Sequence, residues 1–474
     1  MIWVIQLIIV AVFGAQVFGF NISTNGTNST IIQASINSDN FQYKGVALGG
    51  WLVLEPYITP SLFLAFNATA NTTEADIPID EYRYCEVLGT TEAKSRLEAH
   101  WNSWITEQDF ANISSVGLNM VRIPVGYWSF LKYPGDPYVK GAQNYLDDAI
   151  DWAKKYDLKV WIDLHGVPGS QNGFDNSGYR DIGYPGWQNK TSYVEHSYEV
   201  LHSIYSKYGT ESYRDTVIGI EVVNEPLGPL LNMTMVEQFY TTTYKDARNT
   251  QTLNNTIVFH DAFQALGYWD DVLVNKKNMT TSRRSQYYNI LVDHHHYEVF
   301  TVDGLNQSIG QHITNIVNYA TDIGKESIPA VVGEWSGALT DCTPWLNGVG
   351  IGTRWEGTSP YKNKALGKCA GVNNWSKWLL KDKKDHRKWI EIQLDQYGSK
   401  TKGWIFWCWK TESTIEWDFQ RLVQLDLMPQ PLDNFTYIKN GTDTDPHKSG
   451  SISRAAQLKW NLVITAVLLV VSSV

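Results

Sequence analysis

The 474-residue chain has little cysteine (four residues) and little positive charge. Its 39 Lys and Arg face 49 Asp and Glu, a net charge of −10, with no basic run anywhere. Without a concentration of positive charge to meet a phosphate backbone, nucleic acid and anionic membrane surfaces are not expected partners. The glycine-rich turn GxGxxG is also missing. The nearest approach, GGW at 49–51, is not followed by one, which argues against an open doubly wound sheet. Neither terminal apolar stretch makes a comfortable membrane span. Cys85, Cys342, Cys369 and Cys408 allow two disulfides, with three connectivities open.

An apolar content of 43% supplies a large core. This length suggests two or three domains, yet single α/β barrels reach it with insertions. Tryptophan is abundant, 20 beside 26 Tyr. Such flat, partly polar rings suit stacking on sugar faces and are equally ordinary core material.

The two ends read as processing signals. Residues 1–19 are apolar, with small residues near Ala15 to Gly19 that suit a signal peptidase, although no Lys or Arg precedes them. Residues 20–40, rich in Asn, Ser and Thr, are expected to be a disordered leader. At the other end, Ser449-Gly450-Ser451, the polar spacer ISRAAQLK and the apolar tail Trp460 to Val474 follow the grammar of a glycolipid (GPI) anchor signal. Residues 438–451 are then a polar stalk carrying the anchor site, and 452–474 are removed. The alternative for either end is a membrane helix, but the C-terminal tail is short and no cationic residues follow it. Fourteen Asn-x-Ser/Thr sites agree with a secreted glycoprotein held at the outer face of the plasma membrane or in the cell wall.

Between the ends, eight strand-like runs recur at 45–54, 119–125, 159–165, 217–225, 256–262, 289–297, 330–335 and 403–409. Helical stretches separate them, such as YLDDAIDWAKKYDL (145–158), with Leu146, Ile150, Ala153 and Leu158 at helical spacing. The runs are nearly continuous in apolar residues, as strands covered on both faces require. Eight βα units predict a (β/α)8 barrel over residues 41–437. Polar residues gather toward the C-terminal ends of the runs: Arg122, His165, Asn224-Glu225, His260-Asp261, His295 to Tyr297 and Glu334. In a barrel those ends meet at one mouth.

Glu225, in IEVVNEP, and Glu334, in VVGEW, each close an apolar run. Two carboxylates facing across a barrel mouth can divide the cleavage of a glycosidic bond. One, kept protonated by burial and by its neighbour's charge, donates to the leaving oxygen; the other attacks the anomeric carbon. The alternative is an ordinary ion network with Arg122 or a histidine. Side chains alternate along a strand, so in VDHHHYEVF His295 and Tyr297 share one face while His294 and His296 point away. Three consecutive histidines therefore cannot reach one ion, and no metal site is expected.

These motifs, with GGWLVLEPYITPSLF, VRIPVGYW, WIDLHGVPGSQNGFDNSG, TDCTPWLNGVG and WKTESTIEWDFQRL, resemble the fungal exo-1,3-β-glucanases of glycoside hydrolase family 5, in their membrane-anchored cell-wall branch. The resemblance implies Glu225 as acid/base and Glu334 as nucleophile of a retaining enzyme. It implies that Asn224 binds the sugar 2-hydroxyl and that Arg122 and Tyr297 orient Glu334. His165, His295 and Trp407 would line the terminal-glucose pocket, with Glu55, Tyr57, Asp175 and Asn176 as hydroxyl partners. Phe174 and Phe300 would clamp the next sugar. The family's cysteine beside the nucleophile motif is Val332 here, so its disulfide pairing does not carry over. The expected activity is removal of glucose from non-reducing ends of 1,3-β-glucan by a monomer without a cofactor, with transglycosylation as a side reaction. Rival readings are an endo-acting or differently linked glucanase or mannanase, and a wall protein that binds glucan without cleaving it.

Overall fold

The computed structural model describes residues 41–67, 72–251, 253–274 and 287–445. The signal, leader and anchor segments read from the sequence lie outside them. Eight strands run in chain order: β1 (Tyr43–Ala47), β2 (Met120–Gly126), β3 (Lys159–Gly166), β4 (Val217–Glu221), β5 (Thr256–His260), β6 (Ile290–His295), β7 (Ala330–Glu334) and β8 (Gly403–Phe406). Each pairs in parallel with the next, and β8 pairs with β1 to close the barrel. The expected (β/α)8 architecture is therefore present, every strand-like run contributing one strand.

Burial on both faces explains the continuous apolar runs: every residue of β2, β4, β7 and β8 is buried. The return helices show the amphipathic spacing. In Ala142–Lys155, residues Leu146, Ala149, Ile150 and Ala153 face the core. That helix stops before Leu158, because Asp157 takes φ +56°, a backbone that no right-handed helix continues. Leu158 still buries its side chain, and its N–H returns to the Ala153 carbonyl at 2.9 Å. Ser308 and Gln311 form a reciprocal cap that starts the helix Ile309–Ile323.

The barrel interior is layered. Tyr43 and Trp161 meet edge to face, with ring centres 6.2 Å apart. Two residues along β3, on the same face, stands Asp163, and with it Arg122, Glu221 and Asp293 form a charged layer completely shut off from solvent. Arg122 is thus inside the barrel, on the third residue of β2, and not at its mouth.

Two strands carry an extra residue near the mouth. Between β2 and β3 the register passes from Val125–Leu164 to Gly126–Gly166, leaving His165 unpaired. Between β6 and β7 it passes from His294–Val332 to His295–Glu334, leaving Gly333 unpaired. Such bulges are uncommon in parallel ladders and re-aim the side chains around them.

One expectation is corrected, and the open cysteine pairing is resolved. Residues 438–445 do not begin a free stalk. Ile438–Lys439 and Thr442–Asp443 form an antiparallel hairpin, and Lys388 of the helix Leu380–Lys400 holds it, through Asp443 at 3.0 Å and Asp445 at 2.8 Å. Of the two disulfides that the cysteine count allows, Cys342–Cys369 forms, while Cys85 and Cys408 are buried thiols in separate parts of the core. The bridge closes a 27-residue excursion after β7. Replacing both of its cysteines by serine is expected to cost about 3–4 kcal/mol from the entropy of that loop. Equilibrium unfolding in urea against the unaltered protein checks this.

Candidate active site

Glu225 lies four residues beyond the end of β4. The extended path continues after Glu221, with the Val222 N–H on the Val258 carbonyl and the Asn224 N–H on the Leu164 carbonyl, both belonging to neighbouring strands. At Glu225 the backbone turns into the left-handed region, φ +46°, which strains any residue other than glycine. Pro226 disfavours the right-handed alternative for its predecessor. Gln171 holds the turn: its Nε2 donates to the carbonyls of His165 and Asn224, both at 2.8 Å, while its Oε1 accepts from Val167 N. One buried amide thus ties the end of β3 to the end of β4.

The Glu225 carboxylate accepts from Asn176 Nδ2 at 3.0 Å and from His295 Nδ1 at 2.8 Å. The same His295 nitrogen stands 3.4 Å from Glu334 Oε2. Two carboxylate oxygens held this close to one atom belong to the short-separation class and not to the ~6.5–9.5 Å of an inverting pair. Glu334 Oε1 accepts from Arg122 Nη1 at 2.6 Å and Oε2 from the Tyr297 hydroxyl at 2.8 Å. Arg122 Nη2 reaches Asn224 Oδ1 at 2.7 Å, so the Asn224 amide nitrogen is turned away from it. That Nδ2, a donor, and the ring nitrogen His165 Nε2 are buried polar atoms with no partner among the described residues. Orphan polar atoms at such a place are what a bound hydroxyl, which both donates and accepts, would satisfy.

His165 stacks on Trp407, ring centres 5.5 Å apart, and the Trp407 indole N–H donates to the Tyr57 hydroxyl. Glu55 Oε1 accepts from Gly50 N at 3.3 Å. Burial, with Asp175 and Glu334 adding to it, pushes the Glu55 carboxyl well up, so it is an acid able to donate. Burial also raises Asp175, to about 6, against the pull of Arg180. Phe300, 37% exposed, leans edge-on against Tyr297, and Phe174 is half-buried. Asn176, expected as a hydroxyl partner, has both ends of its amide engaged, with Glu225 and with Asn172.

Residues 86–348 match the family model described as cellulase, glycosyl hydrolase family 5. The chain is 54% identical over 461 residues to glucan 1,3-beta-glucosidase 2 of Candida albicans, covering 94% of each chain. It belongs to glycosyl hydrolase family 5. To glucan 1,3-beta-glucosidase I/II of Saccharomyces cerevisiae it is 46% identical, over 86% of this chain and 88% of that one. Among solved structures, the rutinosidase from Aspergillus niger superposes with a TM-score of 0.60 at 19% identity, covering 82% of this chain and 98% of that one. That likeness concerns the fold alone.

The electrostatics of this family 5 site depart from the sequence reading on one point. Burial pushes the Glu225 carboxyl up, but the hydrogen bond and charge of His295 outweigh it and hold Glu225 below the ordinary range. Burial raises Glu334, and the His295 and Arg122 charges offset only part of that. His295 itself is pushed well above an ordinary histidine: burial works against its charge, but Glu334, Asp293 and Glu225 prevail. The surroundings thus favour charge on the imidazole between the carboxylates, and burial alone does not favour a proton on Glu225.

His294 and His296 point away from the mouth, as alternation requires. His294 bridges Asp261 and Glu326 at 2.8 and 2.9 Å, and His296 bonds the Tyr397 hydroxyl and stacks on Tyr319. Two other groupings bring ligand-type atoms within 4.8 Å: Glu225, His260 and His295, and Glu221, Asp293 and His295. Both use His295, whose nitrogens face carboxylates as donors, and Glu221 already has the Arg122 guanidinium at 2.9 Å. A protonated imidazole has no lone pair to offer a metal.

Asp163, Gln171, Glu221 and Asp293 escaped the sequence reading. Each reads locally as one polar residue in an apolar run or a loop, and only the closed barrel brings them under Arg122 or across two strand ends. Gln171→Ala removes three hydrogen bonds at once. It is expected to lower stability by about 1–3 kcal/mol and kcat/KM by about tenfold or more, as a displaced Asn224 loses its aim. Thermal unfolding and steady-state kinetics on laminarin check both.

Proposed function

We propose that the chain is a retaining exo-hydrolase that removes glucose from the non-reducing ends of 1,3-β-glucan. The observation that carries the reading is one imidazole nitrogen placed 2.8 Å from Glu225 and 3.4 Å from Glu334 at a barrel mouth where the Asn224 amide nitrogen and His165 Nε2 have no partner among the described residues. The names of the relatives, glucan 1,3-beta-glucosidases throughout the high-identity group, supply the substrate class.

Glu334 attacks the anomeric carbon from the ionised state that the Arg122 and Tyr297 hydrogen bonds favour. The glycosidic C–O bond breaks, and Glu225 protonates the departing oxygen. That proton is replenished along the 2.8 Å hydrogen bond from His295, so acid is delivered by the imidazole–carboxylate pair. A covalent glycosyl–Glu334 intermediate results. Glu225, now a base, takes a proton from water, which attacks the anomeric carbon and frees Glu334. A sugar hydroxyl in place of that water gives transglycosylation. The amide nitrogen of Asn224 and Nε2 of His165 grip hydroxyls of the terminal glucose, and Phe174 and Phe300 flank the next unit. Both halves of the chemistry come from side chains, so the reaction calls for no cofactor, and one chain carries the whole site.

Glu334→Gln is expected to reduce hydrolysis of laminarin by more than roughly 10³-fold while sugar binding persists. The unaltered enzyme should release single glucose units from the first time points. Unchanged turnover in the variant would refute the role of Glu334, and an initial ladder of oligosaccharides would make the enzyme endo-acting.

We further propose that the protein is secreted and tethered by the C-terminal glycolipid signal, with a role in cell-wall remodelling. Phosphatidylinositol-specific phospholipase C should release the activity from intact cells. Activity that stays with the membrane after this treatment would count against the tether.

A further inference from the structure

Asp293 is buried below the mouth, two residues before His295 on β6, and both of its oxygens are spent on the site. Oδ1 accepts the N–H of Gly333 at 2.8 Å, and Oδ2 stands 3.3 Å from His295 Nε2. Gly333 is the unpaired residue of the β7 bulge, so the ladder offers its N–H no partner and the Asp293 carboxylate takes that place. The bulge shifts the register so that Glu334 faces His295. Glycine is required there: a Cβ at 333 would stand 2.0 Å from Asp293 Oδ1.

We propose that Asp293 is a positioning residue for both carboxylates, one oxygen clamping the bulge that aims Glu334 and the other fixing the His295 ring that bridges Glu334 and Glu225. This rests on the glycosidase reading above. A carboxylate beside Nε2 makes that nitrogen a donor, which leaves Nδ1–H for Glu225 only if the ring is an imidazolium. The other charged or titratable groups facing His295 are Glu221 and Glu225 from the β4 end, Glu334 from β7, Asp163 from β3, Arg122 from β2 and His260 from β5. Among these, the Arg122 cation opposes the charge on His295. His260 packs edge to face against the ring at 4.4 Å and is itself held neutral by burial.

Asp293→Asn separates the two functions of the carboxylate. The amide oxygen can still accept from Gly333, but the amide nitrogen now donates to His295 Nε2 and forces a neutral ring. Without the imidazolium, the carboxyls of Glu225 and Glu334 both rise. The acid limb of the kcat/KM profile on laminarin, set by Glu334, should therefore move to higher pH, and the alkaline limb, set by the last proton of the His295–Glu225 pair, to lower pH, each by about one unit, with kcat at least about tenfold lower at the wild-type optimum. Gly333→Ala, which displaces the same carboxylate, should narrow the profile in the same way. Lower activity with both limbs unmoved would overturn the proposal, because a merely structural defect scales the profile without shifting it. If neither variant folds, ¹⁵N spectra of His295 in the wild-type enzyme decide. An imidazolium at pH 7 supports the proposal and a neutral ring refutes it. Failure of the glycosidase reading looks different, since Glu334→Gln would then leave wild-type turnover intact.

Discussion

A single guanidinium in the middle of the barrel organises the site. Arg122 is shut off from water yet bonds Glu221, Asp163, Asn224 and Glu334, residues carried by β3, β4, β7 and the turn after β4. Taking such a charge out of water costs several kcal/mol, and only hydrogen-bonded counter-charges offset it. Once the cation is inside, three strand ends must present oxygen atoms to it in a fixed arrangement. Burial works against the charge, but Asp163, Glu221 and Glu334 more than compensate, and Arg122 stays a cation. The arrangement that stabilises Arg122 also aims Asn224 and Glu334, so the same contacts serve folding and the proposed chemistry.

The charged layer has more acid than base, and the surplus sets protonation. Burial pushes Glu221 well up despite Arg122 beside it, whereas in Asp163 the Arg122 and His165 charges overcome burial and hold the carboxyl down. One floor of the barrel thus contains two carboxyls, both on the Arg122 guanidinium, whose proton affinities are pushed in opposite directions. Above it, His295 collects charge from Asp293 and the two mouth glutamates. A proton reserve next to a glycosidic bond is useful only if water cannot dilute it, and the near-complete burial of Glu225 and Glu334 provides that.

Local strain is concentrated at the same places. Glu225 sits at φ +46°, His165 and Gly333 are unpaired bulge residues, and Ala262 and Phe263 both take left-handed backbone just after β5. The left-handed backbone at Glu225, Ala262 and Phe263 is not favoured by those residue types. Each is held by a neighbour: Gln171 for the turns after β3 and β4, Asp293 for the β7 bulge, and the His260 and Asp261 side chains for the N–H groups of Ala262 and Phe263. The chain departs from regular geometry where a side chain must leave the barrel wall and face the mouth.

The number of strands, their order along the chain and the two mouth glutamates were legible in the sequence, because a strand buried on both faces can only be written as an apolar run, and a carboxylate ending such a run stands out. Alternation likewise separated His295 and Tyr297 from His294 and His296, since the period of two is a local property of extended backbone. Three things were decided by tertiary structure alone. The charge that His295 favours beside the two mouth glutamates is one, because it answers to carboxylates brought together from β4, β6 and β7. Arg122 lies inside the barrel, because depth along the axis depends on strand stagger. The acids beneath it, Asp163, Glu221 and Asp293, become one layer only when the sheet closes, since they are up to 130 residues apart in a chain whose local pattern carries no information about register.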